Sequence, residues 1–143
     1  MVFLLTLIAA AALVGLTGLH LYWAGGGQWG VRYVVPEVDG KPLFRPQAVT
    51  TLAVAALLFW GAAILIDVAS SGFLIRRYPL VVLLTLWVYG LAFAVRALAG
   101  WFLVAVLGKG RKTVFGYYEL RIYGPICLLL GVVFLLLALV LTP

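Results

Sequence analysis

Four long stretches of this chain are almost free of charge, and its polar residues gather in the gaps between them. The stretches cover approximately residues 2–24, 47–66, 80–103 and 122–141. Each is about 20 residues long, the length at which a helix rising about 1.5 Å per residue crosses a hydrocarbon core about 30 Å thick. Within each stretch the apolar residues are continuous and do not alternate, which excludes a transmembrane β-barrel. The pattern predicts an all-α membrane protein: one domain over residues 1–143, a four-transmembrane-helix bundle with a proline- and glycine-rich first loop. Little chain remains for a soluble domain, so any chemistry falls to helix ends and short loops.

The first run is expected to stay in place as a helix and not to act as a cleaved leader, because nothing basic precedes it and it exceeds the usual leader core. Ala11 and Gly15, four residues apart in this run, offer a notch where another helix can approach closely. Gly25-Gly26-Gly27 then ends the helix, since glycine reaches left-handed backbone conformations at no steric cost. The loop that follows holds Pro36, Pro42 and Pro46 around an Asp39-Gly40 hairpin signal, which limits it to a short edge-like ribbon. It is expected to lie as a lid over the helix ends.

Composition sharpens the picture in one respect. Ten Lys and Arg against four Asp and Glu give a net charge of +6, which in a soluble chain would suggest nucleic acid. Here the basic residues other than Arg96 stand in loops and at span ends, so no nucleic acid is expected, and the bilayer itself is the partner through anionic headgroups. Lys109, Arg111 and Lys112 are the candidate headgroup contacts. With Arg32, Lys41, Arg45 and Arg121 they place seven basic residues on the side of the first and third loops, against Arg76 and Arg77 on the other. That bias predicts a multi-pass protein of the plasma membrane with both termini outside and the first and third loops cytoplasmic.

Polar residues inside or beside the spans carry the remaining information. His20, the sole histidine, closes the first span within His20-Leu21-Tyr22-Trp23-Ala24. Asp67 ends the second span, where a solvated carboxylate is the simplest expectation. Arg96 stands 17 residues after Pro79, roughly 26 Å along a helix. It therefore lies near the boundary but still inside the apolar run. Its head either snorkels to water or pairs inside the bundle, and Glu119 and His20 are the acceptors at its depth. Gly108-Lys109-Gly110-Arg111-Lys112-Thr113 lacks the glycine spacing of a phosphate loop. Tyr117, Tyr118 and Tyr123 read as an interfacial belt. Cys127 stands alone and is expected to be a buried free thiol, with no disulfide.

The segments His20-Leu21-Tyr22-Trp23-Ala24, Gly26-Gly27-Gln28-Trp29-Gly30, Pro36 and Gly40 resemble the opening signature of the DUF 3995 family, bacterial membrane domains of unknown function. Arg96-Ala97-Leu98, the basic turn, Thr113, Phe115 and Tyr123-Gly124-Pro125-Ile126-Cys127 resemble its closing signature, in the same order. The resemblance implies four helices and no particular activity. Members tend to carry an acid shortly after the arginine, where this chain has Ala99 and Gly100. The expected partner of Arg96 thereby moves to Glu119.

One histidine, one cysteine and scattered acids cannot build a multi-histidine metal site, a bis-histidine haem or a Ser/His/Asp set within one chain, so no metal, cofactor or catalytic residue is predicted. The chain reads first as a small non-enzymatic membrane module that binds lipid or a protein partner, a second copy included. The alternative is a small-molecule pocket, catalytic or not, at the cytoplasmic helix ends. In it Tyr22, Trp23 and Trp29 form walls, His20 donates or accepts, Arg96 meets an anion and Glu119 completes the constellation. An oligomeric transporter has the least support, since the spans show no inverted repeat or midplane break.

Overall fold

The computed structural model of the chain describes residues 2–35, 37–38, 41–42, 46–106 and 113–142. Its long helices are α1 (Val2–Ala24), α3 (Ala48–Ala69), α5 (Pro79–Trp101) and α7 (Gly124–Leu141). Short helices α2 (Val31–Val34), α4 (Phe73–Arg77) and α6 (Val114–Tyr118) stand in the connections. Four helical segments are long and apolar enough to cross a membrane: Val2–Ala24, Ala48–Ala69, Pro79–Ala105 and Val114–Leu141. This is a multi-pass, all-helical membrane bundle.

The helices associate as two hairpins, α1 with α3 and α5 with α7, with far fewer contacts between the hairpins. In lipid no hydrophobic force drives such pairing, so close van der Waals packing has to supply it. Gly131 of α7 lies against the backbone of α5, where a Cβ would sit 3.0 Å from the Ala94 amide nitrogen and 3.1 Å from the Gly90 carbonyl oxygen. Tyr89, Phe93 and Phe134 form an aromatic cluster beside this contact. Among the described residues, two hydrogen bonds tie the hairpins together: Tyr89 Oη donates to the Leu57 carbonyl at 2.7 Å, and Trp60 Nε1 to Thr85 Oγ1 at 3.3 Å. The shared core gathers Leu13, Ile64, Leu65, Val82, Leu86 and Phe134.

Buried threonines need no partner from another helix. Thr6, Thr17, Thr51 and Thr85 each donate to the carbonyl four residues earlier, the arrangement that lets a hydroxyl sit in a helix without orphaning its proton. A Cβ on Gly15 would meet nothing within 4 Å, so none of the described residues fills the notch there.

At the Asp67 end of the bundle the expected solvated carboxylate is instead buried. Asp67 accepts from the Leu74 amide at 3.0 Å, the Ile75 amide at 3.3 Å and the Ser71 hydroxyl at 3.4 Å, so it fastens α4 beneath the turn after α3. Short-range turn chemistry outweighs hydration here, because a buried carboxylate surrounded by amide donors keeps its hydrogen bonds. Cys127 is free as expected, but half-buried instead of buried, because that side of α7 is only partly covered.

The first loop forms the anticipated two-residue ribbon, Glu37–Val38 antiparallel to Lys41–Pro42, with Val38 opposite Lys41. Its Asp39-Gly40 turn and most of the expected lid lie outside the described residues, as do Lys109, Arg111 and Lys112.

Candidate functional site

The last membrane-crossing segment begins at Val114, earlier than the apolar run alone indicates. Thr113 caps it: its hydroxyl accepts from the Gly116 amide at 3.1 Å, satisfying one of the donors left open at a helix start. Between α6 and α7 the backbone makes a π-helical turn over Glu119–Tyr123, and α5 likewise ends in a π-helical turn over Phe102–Val106. The two turns touch. Such turns are rare inside helices and concentrate at functional sites, because the extra residue re-aims the side chains around it.

Glu119 opens one of these turns and points inward. Its carboxylate receives both terminal nitrogens of Arg96, Nη1 to Oε1 at 2.5 Å and Nη2 to Oε2 at 2.9 Å, a parallel fork that fixes geometry as well as charge. The pair is lopsided. Glu119 is 0% exposed, whereas the Arg96 side chain is 46% exposed. Gly100, one turn beyond Arg96, makes the pair possible, since a Cβ there would collide with the Glu119 carboxylate and crowd Arg96 Nη1. The acid missing from residue 100 is thus replaced in space by one from the next helical segment. Of the two fates expected for Arg96, pairing inside the bundle is the one seen, although nearly half of the side chain stays exposed.

His20, Tyr22, Trp23 and Trp29 form a second group. His20 Nδ1 lies 2.8 Å from the Leu16 carbonyl oxygen. A carbonyl only accepts, so Nδ1 carries the proton and Nε2 is left as the acceptor of the neutral ring. The ring meets Trp23 edge-on at 5.1 Å. Trp23 Nε1 donates to the Trp29 carbonyl at 2.8 Å, and the Trp29 amide donates to Tyr22 Oη at 3.4 Å, so the aromatics clamp the glycine turn back onto the end of α1. Gly26 and Gly30 sit at φ +94° and +82°, backbone angles that side chains strain to reach. Trp29 itself is largely exposed.

Among the described residues no hydrogen bond, ion pair or ring contact joins His20 to Arg96 or Glu119. A row of tyrosines runs from α2, just after the glycine turn, to the Glu119 turn. Tyr33 of α2 meets Tyr118 at 5.1 Å, and Tyr118 stacks on Tyr123 at 6.0 Å, the two residues that bracket the Glu119 turn. Tyr118 and Tyr123 stand out in the sequence only as belt residues, Gly100 only as a departure from the family's usual acid, and Tyr33 does not stand out at all. The helical offset of four between Arg96 and Gly100 was the one available signal, and it becomes meaningful only once Glu119 is known to lie opposite.

A family model described as a protein of unknown function, DUF3995, matches residues 4–134. The chain belongs to the DUF3995 family. The match spans both the aromatic clamp of this DUF3995 protein and its Arg96–Glu119 pair. Comparison with curated proteins and with solved structures finds no match. Among the described residues of this DUF3995 chain no three His, Cys, Asp or Glu side chains group as metal ligands.

Proposed function

We propose that this DUF3995 protein is a non-enzymatic membrane module that binds an anionic lipid headgroup at its His20 end, with Arg96 as the anion contact. The carrying observation is the asymmetry of the ion pair. A pair serving packing alone has no use for an arginine whose side chain stays 46% exposed, whereas Glu119, wholly buried, orients the fork, and a guanidinium carries more N–H donors than one carboxylate uses. Phosphate chemistry suits that edge, since guanidinium donors match paired phosphate oxygens. The Tyr33–Tyr118–Tyr123 stack and the Trp23–Trp29 clamp supply the amphipathic rings that favour headgroup depth.

Arg96→Lys tests this reading, because lysine keeps the charge opposite Glu119 but loses the planar fork. Protein released from nanodiscs of mixed phosphatidylglycerol and phosphatidylcholine is weighed by native mass spectrometry. The wild type is expected to retain a phosphatidylglycerol that the variant loses at unchanged melting temperature. Equal retention by both proteins refutes the proposal.

The same reading assigns the His20 end to the cytoplasm, supported by the basic residues of the first and third loops. In a Cys127→Ser background, a membrane-impermeant maleimide added to intact cells is expected to label Ser71→Cys and spare Gln28→Cys. The reverse pattern inverts the assignment.

A further inference from the structure

We propose that a groove at the opposite, Asp67 end of the bundle holds one acyl chain of a phospholipid whose phosphate meets Arg76. The groove has a volume of about 380 Å³ and lies between α1, α3 and α4, within the size range of small-molecule sites. Its shape follows from the sequence of α3. Phe59, Ala62, Ala63 and Ile66 recur at helical spacing on one face, so the two large residues form end walls and the two alanines a low floor. Val14 of α1 and Leu74 of α4 close the sides.

Depth and polarity select the occupant. From Phe59 to Asp67 the groove runs eight residues along α3, about 12 Å at the helical rise, close to the roughly 15 Å of one leaflet's hydrocarbon. It is apolar from the level of Val14 and Phe59 outward and turns polar at Ser70 and Ser71, the gradient of a single lipid chain beneath its head. Asp67, the acid at this mouth, is occupied by the Leu74 and Ile75 amides and the Ser71 hydroxyl. Arg76 lies back over Gly72, its Nη1 3.6 Å from where a Cβ on residue 72 would sit, and among the described residues its side chain has no ion pair or hydrogen bond. Gly72 directly follows Ser71 of the groove wall, so a cation with no partner of its own stands next to the mouth, near an acid already satisfied, which suits a phosphate.

The test uses the full chain in nanodiscs of mixed phosphatidylglycerol and phosphatidylcholine, with bound lipids counted by native mass spectrometry after mild detergent release. Ala63→Phe fills the floor and is expected to remove one lipid per chain at unchanged melting temperature. Arg76→Gln is expected to keep that lipid but lose its preference for phosphatidylglycerol. Each substitution is also read in the Arg96→Lys background, so that loss at the His20 end and loss from the groove are separate observations. Unchanged lipid count in Ala63→Phe overturns the proposal. Should that variant fail to fold, an unchanged headgroup preference in Arg76→Gln within the Arg96→Lys background overturns it.

Discussion

Replacing Arg96 with methionine is expected to destabilise the protein more than replacing Glu119 with leucine does, although each substitution breaks the same ion pair. Methionine at 96 strands a carboxylate that is 0% exposed and pressed against Gly100. Removing one partner of a buried pair costs about 3–5 kcal/mol, because the remaining charge is uncompensated. Leucine at 119 strands an arginine whose side chain is already 46% exposed and whose head can turn outward along its flexible stem. The cost there should be nearer 1.5–3 kcal/mol, roughly the range for a hydrogen bond to a charged group. The double variant, with both charges gone, should recover much of the Arg96→Met loss. Reversible unfolding of the four proteins in one detergent gives the complete cycle. Equal single losses that simply add would show that burial at the two ends of the pair does not govern its energetics.

The second large effect is expected at Gly131. Even one methyl group there meets backbone atoms of α5, the Ala94 nitrogen and the Gly90 oxygen, and backbone in a paired helix cannot step aside as a side chain can. Leucine would force α5 and α7 apart along the contact that organises the second hairpin. Overpacking of this kind costs typically 1–3 kcal/mol, and about 3 kcal/mol is expected at a glycine pressed on backbone. Gly15→Leu is the matched control, since nothing lies within 4 Å of that position. Thermal unfolding monitored by circular dichroism should show a lower midpoint for Gly131→Leu and little change for Gly15→Leu. A similar fall for both would point to general damage to apolar helices and away from the close approach.

The spans were legible because bilayer thickness imposes a length on apolar runs regardless of how helices later pack. The Arg96–Glu119 pairing was legible for a related reason: charges within apolar chain are few, and partners must lie at one depth. Regular helix arithmetic could not supply the rest. The two π-helical turns change the angle at which residues project, so neither the inward aim of Glu119 nor its fit over Gly100 follows from counting 1.5 Å steps. The start at Val114 was hidden because Thr113 caps a segment whose tyrosines and glutamate lower its apparent hydrophobicity. Asp67 looked solvated for want of any linear sign that the Leu74 and Ile75 amides would fold back onto it. Tyr33 lies in a loop whose composition announces turns, and ring contacts across 85 residues of chain leave no mark in local pattern.

The division into two hairpins also bears on how the molecule is made. α1 finds its principal partner in α3, and α5 in α7, so each helix packs mainly against the next span or its own near neighbour in synthesis order. A ribosome delivering residues at roughly 5–20 per second would release the first pair, able to zip together, before the second pair existed. The Trp60–Thr85 and Tyr89–Leu57 bonds are then a late seam, closed when two already formed halves meet. On such a route the costly Glu119 carboxylate never waits for a distant cation, because Arg96 has entered the membrane ahead of it.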